Sequence, residues 1–453
     1  MNVAARACRL LTVVTLTFTP VHAAPTAAAV APPPLDDSRL PAPAPPAPPR
    51  PTTQHDDCAT AAPVSPTSAA PGQLAGSDLS TVWALTRGAG QTVAVIDTGG
   101  ARHRRLPHLV AGGDYVSTAD GAADCDGHGT IVAGIIGATA DSEQPGTFTG
   151  IAPDVTILAI RQSSNKFRAA DDPGSSGSGD VETLAAAVRT AADLGATVIN
   201  ISSVACLPAD SALDDRALGA ALAYAVDVKN VVVVTAAGNV GGPGQCPGPN
   251  PRDAAGWDDV SVVVSPAWYD DYVLTVGSVD GHGAPSQFSL SGPWVDVAAP
   301  GEGVVSLAPA GEGLVHTVSD GSPISGTSYA APVVSAIAAL VRARSPELTA
   351  RQVVQRIEET ARRPATGWDP AVGHGVVDAL AAVSAPGPAA PRPQSSTPLT
   401  RATPAPVVDR SAGVTAVRAA AICVALTGII AVSVAVGRSR RRDTAIADAV
   451  PQD

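Results

Sequence analysis

Residues 92–96, Thr-Val-Ala-Val-Ile, are apolar or β-branched at every position, with none of the alternation that a half-solvated strand shows. A strand buried on both faces belongs in a parallel sheet with helices packed above and below. Two further strands are read at 197–201 and 231–234, with a helical stretch at 212–228 between them. That strand–helix–strand unit sets its two strands parallel and side by side. The chain is therefore of the α/β class, with one large domain at 78–384. Hydrophobic residues are 45% of the sequence but aromatic residues only 3%, so the core is built largely from Ala, Val, Leu and Ile.

Three short motifs mark where chemistry could sit. The first, Val93-Ala94-Val95-Ile96-Asp97-Thr98-Gly99, ends a buried strand on a carboxylate, at the strand end where ligands gather in open α/β sheets. The second is Asp126-Gly127-His128-Gly129-Thr130-Ile131-Val132-Ala133-Gly134 and the third Gly326-Thr327-Ser328-Tyr329-Ala330-Ala331-Pro332. Apolar helical patterns at 130–137 and 329–344 begin beside His128 and Ser328. Alone, each motif has an ordinary reading as a turn, a loop or a helix cap. Together they supply what a serine hydroxyl, a poor nucleophile at neutral pH, requires: an imidazole to take its proton and a carboxylate to fix that imidazole's tautomer. Asp97, His128 and Ser328 are the candidate catalytic residues.

Asp, His and Ser in this chain order resemble the subtilisin-like serine proteases, whereas other folds reach the same geometry by different orders. Asn239, in Ala236-Ala237-Gly238-Asn239, is similar to the side-chain donor that subtilisins aim at the developing oxyanion, and the Ser328 amide at a helix start would join it. The segments from Val228-Lys229-Asn230 to Gly238-Asn239, Pro266-Ala267-Trp268-Tyr269 and Gly292-Pro293-Trp294-Val295-Asp296-Val297-Ala298-Ala299-Pro300 narrow the resemblance to mycosins, the membrane-anchored proteases of actinobacterial type VII secretion systems. That resemblance implies a mostly parallel seven-stranded sheet flanked by helices and an extracytoplasmic catalytic domain. It also implies association with the secretion membrane complex, cleavage of exported protein substrates, and an N-terminal extension that wraps the domain. Two positions depart from many subtilisins. Tyr329 replaces a Met after the nucleophile, and Ser202-Ser203-Val204 replaces a Gly-containing strand, along which a substrate would still add as an extended strand through its backbone.

The ends of the chain carry their own signals. Arg6 and Arg9 precede an apolar run at 10–18, and Val21-His22-Ala23 offers small residues at a cleavage site, so 1–23 reads as a signal peptide. Residues 24–77 and 385–418 are proline-rich; the first is expected to be extended, pinned from Cys58 onward, and the second to be a linker. The span 419–437 holds no charged residue and is followed by Arg438, Arg440, Arg441 and Arg442, the pattern of a single transmembrane helix with a cytoplasmic tail at 438–453. The expected location is the cell membrane, with the catalytic domain outside the cytoplasm.

With Cys8 in the signal and Cys423 in the membrane segment, Cys58, Cys125, Cys206 and Cys246 remain, which allow three pairings. Cys206 and Cys246 follow the adjacent parallel strands at 197–201 and 231–234, so they emerge at one edge and are paired; Cys58 then pairs with Cys125, near His128. A net charge of −12 and lysines only at 166 and 229 argue against nucleic-acid binding. No cofactor or metal is expected. Residues 163–180 read as a flexible surface insertion, and His103 and His108 as solvated loop residues. Besides the endopeptidase, two readings stay open: a general surface protease, and a structural stabiliser of the secretion complex whose proteolysis is dispensable.

Overall fold

The computed structural model describes residues 30–59, 74, 79–143, 148–242, 245–252, 256–317 and 321–385. The signal peptide, the transmembrane helix and the cytoplasmic tail read from the sequence lie outside the described residues. Among the described residues, no helix is long and apolar enough to cross a membrane.

In chain order the strands among the described residues are β1 (Thr52–Gln54), β2 (Thr92–Asp97), β3 (Leu109–Asp114), β4 (Thr156–Arg161), β5 (Phe167–Ala169), β6 (Val198–Ile201), β7 (Ala205–Pro208), β8 (Val232–Ala236), β9 (Val262–Ser265), β10 (Leu274–Val279), β11 (Val297–Pro300), β12 (Ser306–Leu307) and β13 (Leu314–Val315). Seven of them form one sheet in the order β11-β10-β8-β6-β2-β4-β3, with every neighbouring pair parallel. The central strands are buried along almost their whole length, as the unbroken apolar run in β2 requires.

The helices are α1 (Leu79–Leu85), α2 (His128–Gly137), α3 (Val181–Asp193), α4 (Arg216–Ala223), α5 (Thr327–Arg344), α6 (Ala350–Thr360) and α7 (Ala379–Ser384). Helices α2 and α5 pack on each other and on the sheet, while α3 lies on the sheet and α4 packs against α3. Helix α5 is apolar all round and buried from Tyr329 to Val341, so it packs against β6, β8, β10 and β11 while other helices cover its outer side. Both cysteine pairs expected from the sequence are bonded, Cys58–Cys125 with Cα atoms 4.4 Å apart and Cys206–Cys246 at 5.0 Å.

Three expectations are corrected. The proline-rich extension is held well before Cys58: β1 pairs antiparallel with β5, the Pro41 carbonyl accepts from Arg189, and Pro46 packs on Gly113. Its prolines supply an extended chain that loses little entropy on docking. The stretch 163–180 is not a free insertion, because β5 lies within it and serves as the partner of β1, while Ser164 and Ser178 pair across it. His103 is buried, only 8% exposed, and its Nδ1 accepts from the Arg105 amide; His108 is exposed as expected.

Candidate active site

Asp97 is the last residue of β2 and is fully buried. Its Oδ1 accepts from the Thr98 amide and lies 2.7 Å from His128 Nδ1. A carboxylate there requires the proton on Nδ1, which leaves Nε2 as the acceptor. The His128 side chain is 27% exposed, so that nitrogen can be reached. Burial by itself would lower the His128 pKa, but the charge and hydrogen bond of Asp97, with Asp124 and Asp126 behind them, outweigh it and hold the imidazole above its ordinary value.

The start of α2 is fixed against the end of β2 by a residue the sequence reading passed over. Asp124 accepts from the Gly127 amide, from the amide and hydroxyl of Thr130, and from the Thr98 hydroxyl. Thr98 Oγ1 in turn accepts from the Gly129 amide. The spacing of Asp124 three residues before Gly127 is the available signal for such a cap. Gly129 permits the approach: a Cβ there would stand 1.9 Å from the Gly99 carbonyl oxygen.

Ser328 occupies the second position of α5 and is half-buried. Around it the first turn is gripped from outside the helix. Thr327 donates through its amide (2.9 Å) and its hydroxyl (3.1 Å) to Asn239 Oδ1, and its hydroxyl accepts from the Gly238 amide. These bonds commit the oxygen of the Asn239 amide group and turn its Nδ2 the other way. A Cβ built on Gly326 would lie 3.1 Å from Ser328 Oγ and 3.5 Å from Asn239 Nδ2, so the hydroxyl and the amide donor flank one small space. The Tyr329 ring packs on His128 with centroids 4.9 Å apart.

Asp97 lies buried behind His128, while His128, Ser328, Asn239 and Tyr329 line one cleft of about 1440 Å³, together with Ser202, Ser203 and Val204. The Cys206–Cys246 bond braces it, since Cys206 lies just past Val204 and the Cys246 amide donates to the Asn239 carbonyl. The opposite wall is where the extension meets the stretch 163–180: Asp56 pairs with Lys166, and Asp126 accepts from Ser164 and the Asn165 amide. No local pattern announced that wall, because its two halves are more than a hundred residues apart.

Residues 88–375 match the subtilase family, Peptidase_S8, and the chain belongs to that family of serine proteases. Within it the chain falls among the mycosins. It is 60% identical to Mycosin-4 of Mycobacterium tuberculosis (strain ATCC 25618 / H37Rv), over 92% of this chain and 94% of that protein. It is also similar to the solved MycP3 protease from the type VII (ESX-3) secretion system, at 44% identity and a TM-score of 0.72, covering 78% of this chain and all of that one. A chain in the structure of an intact ESX-5 inner membrane complex matches at 40% identity and a TM-score of 0.73, covering 90% of this chain and all of the other.

Proposed function

We propose that this chain is a serine endopeptidase acting through Asp97, His128 and Ser328 on proteins exported by a type VII secretion system. The observation that carries the reading is the 2.7 Å contact between buried Asp97 and His128, which lines the same cleft as Ser328 and Asn239. In this mechanism Nε2 of His128 takes the Ser328 proton as Oγ attacks the peptide carbonyl, and Asp97 stabilises the imidazolium that results. Asn239 Nδ2 and the Ser328 amide donate to the oxyanion. His128 then returns the proton to the leaving amine, and water repeats the sequence on the acyl-enzyme. A substrate in extended form pairs along Ser202, Ser203 and Val204, where backbone bonds give affinity irrespective of sequence. The similar chain in the ESX-5 inner membrane complex supports a place beside such a complex, with residues 419–437 as the membrane anchor and the catalytic domain outside the cytoplasm.

The same similarity favours a second reading, in which the fold stabilises the complex and proteolysis is secondary. Comparison of Ser328→Ala with deletion of the whole chain separates them. An enzymatic role predicts that substrates are exported unprocessed in Ser328→Ala. Export that is normal, with normally processed substrates, refutes it, whereas export lost only on deletion establishes the scaffold role.

A further inference from the structure

Helix α5 contains a proline at Pro332, four residues after Ser328. In an uninterrupted helix the amide of residue 332 would donate to the Ser328 carbonyl; proline has no such hydrogen, and its ring pushes on that carbonyl. The Ser328 carbonyl is nevertheless bonded, because Ser202 Oγ donates to it at 2.8 Å. Ser202 Oγ accepts from Asn200 Nδ2 at 2.9 Å, and Asn200 Oδ1 accepts from Ser335 Oγ at 2.8 Å, two turns further along α5. Asn200 and Ser335 are fully buried and Ser202 is 6% exposed. Water is thus kept from a chain of three side chains that begins and ends on α5 and passes through the end of β6.

We propose that Ser202 is a positioning residue for the nucleophile. Its hydroxyl replaces the helix bond that Pro332 removes, and it ties the first turn of α5 to the edge along which the substrate strand pairs. Asn200 orients the hydroxyl, since an amide donor at its lone pair directs its single proton to the Ser328 carbonyl. A chain of this kind fixes the Ser328 backbone on the sheet, so that Oγ is aimed by β6 and β8 and not by its own helix. This inference rests on the reading of Ser328 as nucleophile.

The test uses the full chain and the rate of labelling by a fluorophosphonate probe. Ser202→Ala is expected to slow labelling about 10- to 100-fold, the scale of a misplaced reacting group. Ser202→Thr, which keeps the hydroxyl, is expected to recover most of the labelling rate that Ser202→Ala loses. In a Pro332→Ala background the new amide can reach the Ser328 carbonyl, so Ser202→Ala should cost less than about threefold there; a merely structural role would add independently in the two backgrounds. Should Ser202→Ala fail to fold, Ser335→Ala breaks the same chain and is read in the same two backgrounds. Unchanged labelling in Ser202→Ala, or an equal loss in both backgrounds, overturns the proposal. Labelling that persists in Ser328→Ala, or fails in the folded wild type, overturns instead the assignment of the nucleophile.

Discussion

Asn239 is the residue whose replacement divides structure from chemistry most sharply. Its Oδ1 holds Thr327 by two hydrogen bonds of 2.9 and 3.1 Å, while its Nδ2 is the group proposed to meet the oxyanion. Asn239→Ala removes both. Each lost bond to Thr327 is worth about 1 kcal/mol, so the domain should lose about 2 kcal/mol of stability. For a domain of about 300 residues, with about 2 cal/mol/K of unfolding entropy per residue, that is a fall in unfolding temperature of roughly 3 °C. The lost donor should cost about 10²–10³ in kcat with little change in KM, because the oxyanion exists only in the transition state. Asn239→Asp keeps an oxygen for Thr327 but replaces the donor with a charged acceptor, so its stability should lie nearer wild type while its turnover falls at least as far. The assays are peptide hydrolysis on purified protein and thermal unfolding of the same samples. If Asn239→Ala is destabilised as expected yet keeps turnover within about threefold of wild type, Asn239 is only a bracket for α5 and the oxyanion assignment is wrong.

Other consequences follow from charge and covalent constraint. Because Asp97 holds the His128 pKa above the usual 6.5 or so, kcat/KM should rise with pH through a midpoint above that value, and a flat profile between pH 5 and 8 would remove His128 from the role of base. Glu358 on α6 is pushed up to about 7, by burial first and then by Asp270 and Glu359, against the pull of Arg363. The fold favours its protonated form, so this contribution to stability is complete below about 4.5 and lost as pH rises through about 7; Glu358→Gln should unfold at a higher temperature than wild type at pH 8 and converge with it at pH 4.5. Cys58 and Cys125 are separated by 67 residues, and opening that loop by replacing both with Ala should cost roughly 4 kcal/mol on chain entropy alone, seen as a lower unfolding temperature. No loss there would mean that β1 and its neighbours anchor the extension without help.

Several features of this protein can be read without coordinates because their causes are local. The unbroken apolar run ending at Asp97 demands a strand covered on both faces, and helical spacing after His128 and Ser328 places both at helix starts. Even the Cys206–Cys246 bond follows from one strand–helix–strand unit, whose handedness leaves little choice. Other features depend on groups distant in the chain that meet only when the sheet closes. Nothing near Phe167 indicates that Thr52–Gln54 will become its partner, so residues 163–180 read as a free loop, and nothing near His103 indicates its burial. Pro332 is visible as a missing donor, but the serine that takes its place lies 126 residues upstream of Ser328, at the end of another strand. Periodicity records which face of a segment is buried; which residue it meets there is decided by loop closure and packing, whose energies are summed over the whole domain and leave no mark at a single position.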